Sequence, residues 1–177
     1  MRGKSSPAPE IIGIDHIFLT VSDLERAERF YDPVMKMLDF RKGIGAIGGV
    51  RHCHYYNREF AISIRPASRF AAAHDSYAPG LHHLCLRSRS RGAVDVIARQ
   101  LGRLGVAIEG PRLCPEYAPD YYAVFFNDPD GIRLEVMNHI ARRKLIRREW
   151  MHLEGFVNPF DKLMRRRGVS RSRARAR

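Results

Sequence analysis

The chain has 177 residues, 45% of them hydrophobic and 28% charged, with a net charge of +12. That length suits one compact unit with its own core, and the balance excludes a wholly disordered, collagen-like or disulfide-scaffold chain. No apolar run reaches the ~20 residues of a membrane span, and Met1–Glu10 lacks the apolar stretch of a secretory signal.

Residues 1–10, with Ser5, Ser6, Pro7 and Pro9, read as a flexible leader. Gly13–Val21 reads as a strand from its β-branched and aromatic content. Ser22 with Glu25 three residues on reads as a capping box. Leu24, Ala27, Phe30, Tyr31, Val34, Met35 and Leu38 then recur at helical spacing, one buried stripe. Gly43, Gly45, Gly48 and Gly49 read as short, turn-rich structure. Strands are expected at His52–Tyr56 and Phe60–Ile64, with Asn57-Arg58-Glu59 turning between them.

After a loop with Pro66, Pro79 and Gly80, the same order returns. Leu81–Arg87 reads as a strand, and Ser90 caps a helix with Val94, Ile97, Ala98, Leu101 and Leu104 on its apolar face. Val106–Glu109 and Tyr121–Phe126 read as strands. Asp128-Pro-Asp-Gly131 reverses the chain into a last strand, Ile132–Met137. The order β-α-β-β-β occurs twice, and an internal repeat outweighs local propensity as a fold signal. Gly13-Ile-Asp-His16 and Gly80-Leu-His-His83 share one frame, and Phe60–Ile64 aligns with Ile132–Val136, which sets Ser63 against Glu135.

Side chains alternate faces along a strand. Ile17, Leu19 and Val21 would face the helix and His16, Phe18 and Thr20 the other side; Leu84 and Leu86 oppose His83, Cys85 and Arg87; Leu134 and Val136 oppose Arg133, Glu135 and Met137. His16, His83 and Glu135 thus all fall on faces that helices leave uncovered. Each imidazole alone reads as an ordinary polar strand residue. A carboxylate in an apolar strand is harder to dismiss, because burying it unpaired costs several kcal/mol, roughly. Together they read as a divalent-metal site with open positions. His82 reads as lying on the opposite face. Arg65, Arg87 and Arg133 either clamp a substrate carboxylate or phosphate or reach water from strand ends. Tyr122, Val124 and Phe126 would line the cleft if the turn is tight; a one-residue slip would bring Tyr121 and Phe125 there instead. Tyr117, Tyr121 and Tyr122 lie in or beside a Pro-bounded loop that could cover the site, as packing and substrate contacts.

Over about residues 11–140, the two Gly-x-x-His frames and the run Tyr117-Ala-Pro-Asp-Tyr-Tyr-Ala-Val-Phe-Phe-Asn-Asp-Pro-Asp-Gly-Ile-Arg-Leu-Glu135 resemble the vicinal oxygen chelate superfamily of glyoxalases, bleomycin-resistance proteins and extradiol dioxygenases. The resemblance implies an α+β domain at residues 11–140, with modules at 11–65 and 80–140. These are paired βαβββ modules forming a cupped mixed sheet around a metal cleft, helices on the outer face. It implies one divalent ion (Fe, Mn, Ni and Zn are not distinguished) on His16, His83 and Glu135, with Ser63 at the family's fourth position and no catalytic side chain assigned. A hydroxyl is no general base, so Ser63 argues against true glyoxalase I activity. The implied function is metal-dependent lyase, dioxygenase or thiol-transferase chemistry on a small molecule that chelates through adjacent oxygens. The alternative is sequestration of a small molecule, as in bleomycin resistance. Phe18, Thr20, Ser63, Arg87, Tyr122 and Arg133 are the expected substrate contacts.

Residues 141–177 form a basic extension that carries +10 of the charge, leaving +2 on residues 1–140. Arg142–Arg148 and then Trp150, Leu153, Phe156, Val157 and Phe160 suggest a short helix packed on the domain or a second subunit. From about residue 165 the segment reads as disordered, able to contact nucleic acid without sequence preference or simply solvated. Cys53, Cys85 and Cys114 form no CxxC pair and read as reduced thiols in a cytoplasmic protein. A homodimer is expected, because half-sheet edges need cover; no membrane contact is expected.

Overall fold

The computed structural model describes residues 11–69, 73–138 and 141–150. The elements run β1 (His16–Val21), α1 (Leu24–Met37), β2 (Arg41–Ile47), β3 (Val50–Tyr56), β4 (Ala61–Pro66), β5 (Leu84–Arg87), α2 (Arg91–Arg103), β6 (Ile108–Leu113), β7 (Tyr122–Asn127), β8 (Arg133–Asn138) and α3 (Ala141–Glu149). They form two four-stranded sheets, ordered β1-β4-β3-β2 and β5-β8-β7-β6. In each sheet the first strand pairs parallel with the last, and the remaining pairs are antiparallel. The repeat is therefore real at the level of topology: two βαβββ modules.

Each module buries the helix-facing side of its sheet. Leu19, Val21, Ile62 and Ile64 meet Tyr31, Val34 and Met35 of α1; Leu134 and Val136 meet Val94, Ala98 and Leu101 of α2. Both sets belong to one continuous core, so the modules share the side on which their helices lie. Burial of each such aliphatic side chain contributes roughly 1.5–3 kcal/mol.

The Asp128–Gly131 turn ties the modules together. Asp128 accepts from the backbone N–H of Asp130 and of Ile132, and from the buried Tyr31 hydroxyl at 2.9 Å. Asp130 accepts from the Ser22 backbone N–H, the Ser22 hydroxyl and the Arg26 guanidinium. This corrects the expected capping box. Ser22 is occupied by Asp130, and the cap of α1 is Asp23, whose carboxylate accepts from the Arg26 N–H at 2.9 Å. Ser90 caps α2 as expected, accepting from the Ala93 N–H. In the β3–β4 turn the Asn57 side chain accepts from Glu59 and Phe60.

Two further readings change. Gly43 and Gly45 lie inside strand β2, and only Gly48 and Gly49, with φ of 60° and 78°, make the hairpin turn. The second strand of module two is not at Val106–Glu109 but at Ile108–Leu113, irregular between Glu109 and Arg112. Val106 instead packs against the core ahead of it. Helix α3 confirms a helix at the start of the basic extension, with Leu145 and Ile146 half-buried. The leader and the segment from residue 151 onward lie outside the described residues. Among the described residues, no helix is long and apolar enough to cross a membrane.

Candidate metal centre

The helix-free face of module two is built around Glu135. Period-two alternation in β8 puts Leu134 and Val136 in the core and Glu135 and Met137 opposite. Glu135 is nonetheless only 3% exposed, because the segment between β6 and β7 folds over it. Cys114, Ala123, Phe125 and Met137 form a small second core there, with Tyr121 packed against it. The Tyr121 hydroxyl donates to Glu135 Oε1 at 2.6 Å. Burial first, and the Glu135 carboxylate second, push the Tyr121 phenol well above its usual pKa, which keeps it a donor.

The second carboxylate oxygen, Oε2, lies 3.4 Å from His83 Nε2. Among the described residues no Lys or Arg pairs with Glu135. A buried carboxylate without a fixed cation is costly. An oxygen aimed at an imidazole nitrogen on an open sheet face is the donor chemistry a borderline divalent ion takes. Cys85 pairs across from Glu135. Desolvation first, and Glu135 second, push its thiol up to about 12, so it stands as a neutral thiol.

Module one presents His16, Phe18 and Thr20 on its open face, all exposed. His16 Nδ1 lies 2.8 Å from the exposed Asp15 carboxylate. Ser63, the counterpart of Glu135, is 2% exposed and bonds to His54 Nδ1 at 2.8 Å. Phe18 sets its edge against the rings of His52 and His54. Phe18 and Thr20 also border a cleft of about 300 Å³ between the modules, with His74, Asp75 and Leu81 on its other side.

The structure thus brings His83 and Glu135 together but does not add His16. Among the described residues, no three His, Cys, Asp or Glu side chains could hold an ion together. Tyr122 corrects the expected cleft lining. Its hydroxyl donates to Asp95 of α2 at 2.7 Å, and with Val124 and Phe126 it belongs to the helix-side core. The slipped register holds, and Tyr121 and Phe125 take the open face. Arg133 is on that face, but it stacks on Phe125 at 4.8 Å and pairs with Glu109 at 3.1 Å. Arg87 is exposed at the end of β5. Arg65, paired across from Thr20, makes no ion pair among the described residues and has a buried Nε with no acceptor. His82 is not set apart from His83: their Nδ1 atoms lie 2.7 Å apart, because alternation does not apply before β5 begins. His54 was absent from the sequence reading. Its period-two spacing with His52 and Tyr56 was the only available signal.

The model of the Glyoxalase/Bleomycin resistance protein/Dioxygenase superfamily matches residues 13–136. The uncharacterized protein YqjT of Bacillus subtilis (strain 168) is 28% identical over 124 residues, covering 69% of this chain and 95% of that one. A glyoxylase/bleomycin resistance protein/dioxygenase domain from Frankia sp. EAN1pec superposes with a TM-score of 0.62 at 26% identity, over 73% of this chain and 98% of that one. The fosfomycin resistance protein FosX of Listeria monocytogenes, solved with Mn(II) and sulfate, superposes with a TM-score of 0.55 over 77% of this chain and 99% of that one. At 16% identity this likeness is one of fold alone.

Proposed function

Because the chain belongs to the glyoxalase/bleomycin resistance protein/dioxygenase superfamily, we propose that it binds one divalent metal ion and acts on a small molecule that chelates it through two adjacent oxygens. The single observation that carries this reading is Glu135. It is a buried carboxylate on an open sheet face, with one oxygen fixed by Tyr121 and the other facing His83.

His83 and Glu135 hold the ion from module two, and His16 of a second copy supplies the third ligand. A homodimer therefore completes the centre. The exposed Phe18 and Tyr56 on the module-one face, 41% and 48% accessible, are the apolar surface such an approach covers. The ion supplies Lewis-acid stabilisation of negative charge on the substrate oxygens. The chain's own contributions are distinct from that. Tyr121 fixes the carboxylate, which holds the donor set in place. Phe18 and Thr20 shape the substrate side, and Arg65 offers an unpaired guanidinium to an anionic group. The chemistry is of the lyase, dioxygenase or thiol-transferase kind. The activity needing a carboxylate at position 63 is not among them.

The test is elemental analysis of the purified full-length protein, followed by thermal shifts on adding Mn(II), Fe(II), Ni(II) or Zn(II). Glu135→Gln should lose metal far more completely than His82→Gln. Metal retained equally by both variants would overturn the assignment. A protein that never takes up metal, yet is stabilised by small aromatic compounds, would favour sequestration without chemistry.

A further inference from the structure

Helix α3 lies beyond residues 13–136, the span of the superfamily domain, and the metal centre makes no use of it. Four of its nine residues, Arg143, Lys144, Arg147 and Arg148, are exposed cations. Side chains four apart share one face of a helix. Arg143 therefore stands beside Arg147, and Lys144 beside Arg148, in a single cationic strip. Glu149 is the one acid of α3, and it pairs with Arg148 Nε at 2.9 Å.

This strip works against its own helix. Like charges four apart repel. Cations in a first turn also meet the positive end of the helix dipole, and the first turn of α3 has no acid to offset them. An external polyanion relieves both effects. Directly after the helix comes Trp150, the chain's only tryptophan, 62% exposed and three residues past Arg147. An indole left in water beside guanidinium groups is a stacking platform for an unpaired base. Leu145 and Ile146, the large apolar residues of α3, are half-buried. Among the described residues, α3 thus lacks the free apolar face with which a helix lies in a lipid surface. The extension as a whole, residues 141–177, holds 11 Arg and two Lys against three acids. Arginine offers a forked donor set that fits phosphate oxygens and a flat face that stacks on rings.

We infer that α3 and Trp150 form a docking surface for a single-stranded nucleic acid, with the cations on its phosphates and the indole on an unpaired base. RNA and DNA strands share this chemistry, so both bind. The other arginines of the extension add attraction through counterion release, without reading sequence. The surface tethers the small-molecule domain to a strand. This docking needs neither the metal nor its substrate.

The experiment uses the full-length protein with oligouridine and oligothymidine strands. A DNA duplex, inorganic polyphosphate and phosphatidylglycerol vesicles serve as comparisons. Because Trp150 is the only tryptophan, its emission reports this surface alone. Both single strands should quench the emission as they bind. Duplex and polyphosphate should occupy the cations without quenching, and vesicles should leave the emission wavelength unchanged. Trp150→Ala should weaken single-strand binding by roughly ten-fold, read by anisotropy of a labelled strand, with polyphosphate binding unchanged. Trp150→Phe should recover most of the loss. Replacing Arg143, Lys144, Arg147 and Arg148 together by Gln should reduce the log–log salt slope for single strands by about 2 to 3. The changed side chains are all exposed, so these variants should melt with the wild type. Equal affinity of the wild type and Trp150→Ala would overturn the inference, as would absent quenching or equal quenching by duplex and strand. So would an unchanged salt slope in the fourfold variant, or binding of only one of the two strands. A blue shift on vesicles without quenching by strands would assign the surface to a membrane instead.

Discussion

The two modules have the same strand order and the same parallel-then-antiparallel pairing, yet their open faces carry opposite chemistry. In module two an acid, Glu135, is held by a phenol that reaches in from the β6–β7 segment. In module one a hydroxyl, Ser63, is held by an imidazole from the neighbouring strand. The difference follows from the connections. β2 and β3 join through the tight Gly48-Gly49 turn, so no β2–β3 segment folds over module one, and among the described residues its face is filled from within the sheet. β6 and β7 are joined by a longer segment that brings Tyr117 and Tyr121 together and covers Glu135. The shared core keeps the frame, while the strand connections decide which groups reach the site.

The largest expected effect tests whether one chain's two faces act together or each meets a partner's. His16→Ala and Glu135→Gln should each lose bound metal as separate homodimers. After the two variants are unfolded together and refolded as a mixture, heterodimers contain one site with every ligand intact, and metal should return to about half of their sites. No return in heterodimers isolated by differential tags would mean that each site lies within one chain. A smaller effect sharpens the role of the covering segment. Tyr121→Phe keeps the ring in the small core but removes the donor to Glu135, and metal affinity should fall by roughly ten-fold or more, as read by competition with a chelator. Unchanged affinity would show that Tyr121 only packs.

The strand faces were legible in the sequence because period two is exact: Leu19, Val21, Leu134 and Val136 are buried and His16 and Phe18 are not. The side of β7 was not legible. It depends on where the strand starts, and Tyr121 and Tyr122 are identical residues at the boundary. Glycines hid β2, since a glycine that clears room for a neighbouring ring looks the same as one in a turn. The Gly110-Pro111 pair likewise hid the end of β6. His54 carried no local signal, because its meaning comes from Ser63, nine positions away along the chain and opposite it in the sheet. The separation of His16 from His83 and Glu135 was illegible for the same reason. Patterns describe each face, not which face meets which.

The smallest expected effect separates the modules by their response to acid. In module one, Glu28 of α1 binds Arg51 of β3 through both oxygens and Lys42 of β2 at 2.6 Å. Arg51 first holds its carboxyl well down, at about 2 against an ordinary 4.5, with Lys42 helping. In module two, among the described residues, the helix-to-sheet contact through a carboxylate is a single bond, Tyr122 to Asp95, which has a counterpart in module one in Tyr55 to Asp32. A depressed folded pKa means that the stabilising interaction is fully present above about 4.5 and is lost as pH falls toward about 2. Module one should therefore loosen first between those limits. Much of the effect is screened by water, so the observable is local. Amide hydrogen exchange in α1, β2 and β3 should accelerate between pH 5 and pH 3, relative to α2 and β7 and after correction for intrinsic rates. In Glu28→Gln the neutral amide cannot titrate. Module one should then be looser already at pH 5, and the extra acceleration should vanish. If the wild-type modules loosen in parallel and the variant matches them, Glu28 is a surface ornament and the two modules are held to their helices by the apolar core alone.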